Sequence, residues 1–379
     1  MNVYTVIMLG PSGSGKTVFL ASMFKKLSTQ GELGFFLEVD GEEKRKRLVN
    51  LYKQIAAEEK WPPGTKYSEV SEWVFTCRVQ TPNLPIYSAC QFEYLDYAGG
   101  RITDESEEED REFEDKLKHA DTLLGLLDGQ RLRQLMRNEE PSLSWAISDL
   151  PNMLTVMQRS VNPVHFVISK WDVLGGEYSL KEIRDRLLQI DEFKNLVNLR
   201  NQTSSPIRLI PVSAVGKGFA TLQPDGSMVK SLASLPHPFQ VEVPLACVLP
   251  DMIQVHLEEL IQKRQQELNT PLEIKPNLSF WDRLGQIFGS GLRTVREFLP
   301  RKYQFADEIL ENLVRFAEEP AQQKQEAAAR RTEELRREQV ASLKAVEDEE
   351  TALTHVVNCF LSIKNQLDSK FPESNLKLL

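Results

Sequence analysis

Residues 10–17 read Gly10-Pro11-Ser12-Gly13-Ser14-Gly15-Lys16-Thr17, a glycine-spaced stretch closed by a lysine and a hydroxyl residue. Each type has a chemical use at that spacing. Glycines let successive backbone N–H groups approach an anion with no Cβ in the way. A lysine can reach outer phosphate oxygens, and a threonine hydroxyl can ligate Mg²⁺. Gly10, Ser12, Gly13, Ser14, Gly15, Lys16, Thr17 and Val18 are therefore the candidate phosphate contacts. Such a loop works only between a strand and a helix, whose N-terminus turns its positive end to the anion. The flanking sequence fits. Val3–Leu9 is a nearly continuous apolar run, as in a buried parallel strand, and Leu20, Met23, Phe24 and Leu27 lie at helical spacing behind the loop.

Three later segments carry further chemistry at strand ends. Phe92-Glu93-Tyr94-Leu95-Asp96 runs into Tyr97-Ala98-Gly99-Gly100. Asp96 can complete a Mg²⁺ shell, and the Gly99 N–H can meet a γ-phosphate. Phe166-Val167-Ile168 leads into Ser169-Lys170-Trp171-Asp172. A carboxylate at Asp172 can accept both the ring N–H and the exocyclic amine of guanine, a donor pair that adenine does not present. Ile210-Pro211-Val212 leads into Ser213-Ala214-Val215, whose backbone N–H groups could touch the guanine oxygen. A plain strand-to-turn junction is the bland alternative for each segment taken alone.

The four segments, in this order, resemble the motif series of the TRAFAC-class GTPases, the Ras-like P-loop proteins: GxxxxGKT, DxxG, [NT]KxD and SA[KL]. The layout also looks like prokaryotic members found in multi-component conflict or defence systems. The resemblance spans roughly residues 1–265 and implies GTP or GDP with Mg²⁺ as ligands. It also implies catalytic contributions from Lys16, Thr65 and Gly99, with Lys170 and Asp172 at the base. Within it Thr65, in Trp61-Pro62-Pro63-Gly64-Thr65, is the candidate switch threonine and, with Thr17 and Asp96, a metal contact. There are departures. Ser169 stands for the family's Asn, which should remove one bracing side chain. Val215 stands for the usual Lys. Gly100 occupies the place of the water-orienting Gln, so slow or partner-dependent GTP hydrolysis is expected. Arg101 and Asp104 are weak substitutes. A nucleotide-holding scaffold without hydrolysis and a P-loop ATPase are the rival readings.

These strand ends need a sheet to gather them. Strands are expected at Phe35–Val39, Trp73–Val79, Gln91–Leu95, Thr122–Leu127, His165–Ser169 and Arg208–Val212. Helices are expected at Glu42–Glu59, Ser142–Arg159, Leu180–Leu199 and Pro244–Gln266, with a turn at Gln223–Gly226. The alternation predicts an α/β fold: a three-layer P-loop NTPase domain with a mostly parallel sheet over residues 1–267. Residues 268–379 are expected to form a helical interaction or effector module. In it Leu278–Leu299 carries an aromatic face beside Arg283, Arg293 and Arg296. Ala321–Gln339 is a solvated helix, and Val340–Phe371 has an apolar stripe through Leu343, Leu353, Val357, Phe360 and Leu361. The first of these could rest on a membrane surface, though packing on its own domain or a partner is the preferred reading. Protein partners are expected at the switch loops and the helical tail. The acidic run Asp104–Asp110 reads as a solvated loop entering a helix.

Bulk properties exclude other classes. The 379 residues carry a net charge of -9, so no broad nucleic-acid footprint is expected. No apolar run approaches bilayer length, and the opening MNVYTVIML lacks a basic stretch and a cleavage site, so no signal peptide is expected. Cys77, Cys90, Cys247 and Cys359 form no CxxC pair, and the five histidines show no triad or metal spacing. A reducing, cytoplasmic setting fits.

Overall fold

The computed structural model describes residues 1–63, 71–97, 107–203, 205–223, 225–267, 299–304, 310 and 321–376. Thr65, Gly99, Gly100, Arg101, Asp104 and residues 278–298 lie outside them. Seven strands form the main sheet: β1 (Asn2–Leu9), β2 (Phe36–Val39), β3 (Ser71–Gln80), β4 (Ile86–Asp96), β5 (Thr122–Asp128), β6 (Val164–Ser169) and β7 (Ile207–Pro211). Their spatial order is β2-β3-β4-β1-β5-β6-β7. β4, β1, β5, β6 and β7 run parallel, while β3 pairs antiparallel with both β2 and β4. The layered α/β arrangement with a mostly parallel sheet, expected from the alternation of apolar runs, is present.

β1 is central and buried on both sides, so its alternate side chains feed two cores. Tyr4, Val6 and Met8 face one core with α1 (Lys16–Leu27), α2 (Glu42–Ala57) and α10 (Val243–Glu267). Ile7 and Leu9 face the other, with α3 (Glu107–His119), α4 (Gly129–Met136), α5 (Glu140–Ile147), α6 (Asp149–Gln158), α8 (Leu180–Leu187) and α9 (Asp191–Gln202). The single-turn α7 (Trp171–Leu174) follows β6.

Two expected helices are each broken. Ser142–Arg159 divides at Ser148, whose N–H and hydroxyl both donate to the Ser144 carbonyl. Pro151 has no N–H to give and disfavours helical backbone just before it, so it sits in the first turn of α6. Leu180–Leu199 divides at Ile190, which is extended. The apolar spacing itself does not mark the break, since Leu180, Ile183, Leu187, Ile190 and Phe193 keep helical spacing; Asp191 and Glu192 favour a fresh N-terminus after it. The expected turn at Gln223–Gly226 joins two three-residue strands, β8 (Ala220–Leu222) and β9 (Met228–Lys230), too short for their periodicity to be read.

The C-terminal helices α11 (Ala321–Lys344) and α12 (Glu349–Lys370) pack on each other. The apolar stripe of α12 meets the sheet. Phe360 stands edge-on to Phe35 at 5.2 Å and lies 5.9 Å from Phe92. His355 Nε2 lies 2.9 Å from the Gly34 carbonyl oxygen, and a Cβ on Gly34 would come within 2.8 Å of Cys359 Sγ. A buried ion cluster adds the second attachment. Arg208 on β7 makes paired bonds of 2.5 and 2.8 Å to Asp251 on α10, and reaches Asp368 on α12 at 3.0 Å. His165 Nε2 on β6 completes it, 2.8 Å from Asp251.

Candidate nucleotide-binding site

The parallel strands end at one rim. Met8 lies opposite Asp96 in the β1/β4 register, and Asp128 opposite Ser169 in the β5/β6 register. The loops after β1, β4, β5, β6 and β7 therefore converge, with β1 between two strands reached by opposite crossovers, which is where open α/β sheets bind ligands.

Gly13 and Gly15 have φ of +81° and +92°, values that L side chains rarely adopt, and Gly15 directly precedes α1. A Cβ on Gly10 would come within 2.9 Å of Ser14 Oγ and 3.1 Å of Leu126 Cβ, so the loop can lie against β5 only with glycine there. The first turn of α1 carries no acidic residue, leaving its positive end uncompensated. Lys16 is 7% exposed, and its Nζ donates to the Gly10 carbonyl at 2.6 Å. Burial pushes its pKa down, opposed by the charge of Asp96. The loop therefore holds a desolvated ammonium on a neutral carbonyl, a poorer partner than a phosphate oxygen.

Asp96 is 2% exposed, and its Oδ1 has no hydrogen-bond partner. Burial raises its pKa from 3.8 to about 6, against the attraction of Lys16 and Arg47. Asp96 and Thr17 line one small void of about 10 Å³ together with Arg47, Ser71 and Trp73. A buried carboxylate oxygen without a partner, beside a hydroxyl and facing the phosphate loop, suits a hard cation that takes oxygen ligands. The residues present thus fit Mg²⁺.

At the other end a cavity of about 330 Å³ runs from the phosphate loop past Lys170 and Asp172 to Val212, Ala214 and Val215. The size suits a small organic ligand. Asp172 Oδ1 accepts from Ser213 Oγ at 2.5 Å, and Ser213 Oγ in turn accepts from the Gly216 N–H at 2.7 Å. Burial raises the Asp172 pKa, and the Ser213 bond opposes that rise. Lys170, in left-handed backbone (φ 52°), directs Nζ to Asp128 at 2.7 Å and to the Gly13 carbonyl at 3.3 Å. Among the described residues, the structure brings Gly10 to Val18, Asp96, Lys170, Asp172, Ser213 and Ala214 to one rim; Thr65 and Gly99 lie outside them.

Ser169 corrects one expectation. The shorter side chain does not remove the brace: its Oγ lies 2.8 Å from the Ser14 carbonyl oxygen and 3.2 Å from that of Leu127, so one hydroxyl proton ties β6 to the phosphate loop. A fifth strand end also escaped the reading. Asp128 closes β5 and caps α4 by accepting from the Gln130 N–H at 2.8 Å, and a Cβ on the next residue, Gly129, would strike the Ser169 carbonyl oxygen at 2.3 Å. An Asp ending an apolar strand is one half of the signal that marks Asp96, but here Gly follows at once rather than three positions later. Trp61, Gln130 and Met228 also line the cavity, and no local pattern marked them.

No protein-family model and no curated protein matches the chain. Among solved structures, Sup35 complexed with GDP matches at 10% identity and a TM-score of 0.30, over 56% of this chain and 37% of that one. Era of Aquifex aeolicus, a variant bound to GDP and AlF4⁻, matches at 14% identity and a TM-score of 0.28, over 68% of each chain. This chain thus spans well under half of the first of these. Neither likeness carries the functional reading, which rests on the site itself.

Proposed function

We propose that the chain is a guanine-nucleotide-binding switch protein whose GTP hydrolysis is slow or depends on a partner. The observation that carries this is the single rim holding Lys16, Asp96 and Asp172, with Asp172 held by Ser213 at the end of the cavity away from the phosphate loop. Gly13, Gly15 and the N-terminus of α1 cradle the phosphates, and Lys16 leaves the Gly10 carbonyl to meet their outer oxygens. Thr17 and Asp96 hold Mg²⁺, which when bound neutralises phosphate charge. Asp172 accepts the two guanine donors, and the Ser213–Ala214 backbone meets the guanine oxygen. Thr65 and Gly99 are the candidate γ-phosphate contacts, whose loops order with GTP and relax without it. Gly100 offers no side chain to orient water, so the water must be positioned by another group. The switch loops and the helical tail are the candidate docking elements for protein partners. A reducing, cytoplasmic setting suits four free, buried cysteines. Among the described residues no helix is long and apolar enough to cross a membrane.

Competition binding of GTP and ATP tests the base reading. Asp172→Asn replaces one of two charged acceptor oxygens with a neutral NH2 donor, so guanine affinity should fall about 100-fold or more, roughly 3 kcal/mol for charge-assisted bonds. An intact guanine preference in that variant sinks the assignment. A scaffold that keeps nucleotide without turnover is the second reading, favoured by Gly100. Single-turnover GTP hydrolysis, alone and with native partners, separates the two.

A further inference from the structure

One wall of the cavity comes from outside the five strand-end loops. The β8–β9 hairpin brings Gly226 and Met228 to the pocket, beside Trp61, Pro62 and Pro63. Its strands have three residues each, and so small a hairpin is not stable by itself in water. Its position must come from what it is tied to, and it is tied at both ends. At the turn, Gln130 Nε2 donates to the Gly226 carbonyl at 3.0 Å, joining the hairpin to α4 next to Asp128 and Lys170. Along β9, Trp61 Nε1 donates to the Met228 carbonyl at 2.6 Å. At the end of β9, Lys230 Nζ donates to three carbonyls at the close of α2: Gln54 at 2.7 Å, Glu58 at 2.9 Å and Lys60 at 3.0 Å. The same ammonium lies 4.5 Å from the centre of the Trp61 ring. All three donors of the lysine are used, and a helix C-terminus is where a cation is most favoured. The hairpin therefore bridges the base side of the pocket and the segment leading to residue 64.

We propose that the β8–β9 hairpin is a strap retaining the nucleoside: Met228 and the Gly226 backbone cover it, and Lys230 locks the strap to the end of α2 and to Trp61. This rests on the nucleotide reading of the pocket and adds what sets residence time. Loading and release both require the strap to lift. Weakening the lock should speed both, and equilibrium affinity should change less than either rate. The strap touches the pocket through one side chain and backbone, so it retains without reading the base.

The test uses the full chain and a fluorescent mant-GDP probe in stopped flow. Lys230→Met keeps the stem over Trp61 and removes three charged hydrogen bonds. Its dissociation rate should rise about tenfold or more, with association also faster. Met228→Ala keeps the lock, removes the cover, and should raise the dissociation rate in the same direction. It carries the test alone should Lys230→Met not fold. Wild-type rates in both variants overturn the strap and leave the nucleotide reading standing. A faster dissociation of Lys230→Met with association unchanged or slower would mean lost contacts rather than a freed strap, and also overturns it. A wild-type chain that binds no mant-GDP overturns the nucleotide reading and the strap together.

Discussion

Asp96→Asn puts the metal assignment and the energetics of the nucleotide-free site under one test. The wild-type carboxyl is 2% exposed and its Oδ1 is unpartnered. Its pKa rises from 3.8 to about 6 on folding, the net of burial against Lys16 and Arg47. A carboxyl that holds its proton more tightly when folded favours the folded state in acid. That stability is fully present below about pH 4 and is lost as pH rises through about 6. A shift of roughly two units at 1.36 kcal/mol each makes the ionised carboxylate cost about 3 kcal/mol by pH 7.5. Asn has nearly the same shape and no charge. The nucleotide-free variant should therefore be more stable than wild type by up to about 3 kcal/mol at pH 7.5, the difference shrinking towards pH 4. Urea unfolding of both proteins across that range measures it. In nucleotide titrations the same variant should lose the Mg²⁺-dependent part of its affinity, because a neutral amide binds a divalent cation more weakly than a carboxylate. A stability difference independent of pH, or a variant less stable than wild type at pH 7.5, refutes the account of a stranded charge. Undiminished Mg²⁺ dependence refutes the metal role.

Two further substitutions test how the C-terminal helices are held. Asp251→Asn leaves buried Arg208 with a poorer partner. Burial alone would raise the Asp251 carboxyl, but Arg208 and then His165 hold it well below the usual carboxylate range. The loss should be about 3–5 kcal/mol by urea unfolding, and a loss under 1 kcal/mol would mean the cluster adds little. Phe360→Ala empties the contact between α12 and the rings of Phe35 and Phe92. It should destabilise the α/β core itself by about 3–5 kcal/mol, seen as one cooperative transition at lower urea. Unfolding of the helices ahead of an unchanged core would contradict that seat.

The parts of the site set by local rules were legible in the sequence. A phosphate loop needs particular residues at particular spacing, and buried parallel strands leave apolar runs whose ends are easy to see. Gly10–Thr17, Asp96 and Asp172 could therefore be named as candidates that the fold then places at one rim, and the positions of β1 to β7 along the chain could be read within a few residues. Asp128 ends an apolar strand as Asp96 does, but Gly129 follows it directly, so the same spacing does not mark it. Ser169 misled because comparison by residue type counts a shorter side chain as a lost bond, whereas the distance to the Ser14 carbonyl decides whether it reaches. The break at Ser148 depended on a proline's missing donor, present in the sequence but outweighed by the apolar pattern, and the break at Ile190 interrupts an apolar stripe whose spacing carries on through it.

The sequence by itself determined which residues are candidates for phosphate, metal and base, because such candidacy rests on side-chain chemistry and on the backbone freedom of glycine. Only the tertiary structure decided that the apolar stripe of α12 is spent on the sheet and that Arg208, Asp251 and Asp368 meet. It also decided that a hairpin with strands of three residues lines the pocket and is tied to the end of α2 through Lys230. Each of those joins segments far apart in the chain, through ring packing, through side-chain ion pairs or through hydrogen bonds to backbone carbonyls. Carbonyls are the same in every residue, so a sequence holds no mark of which one a distant lysine will find.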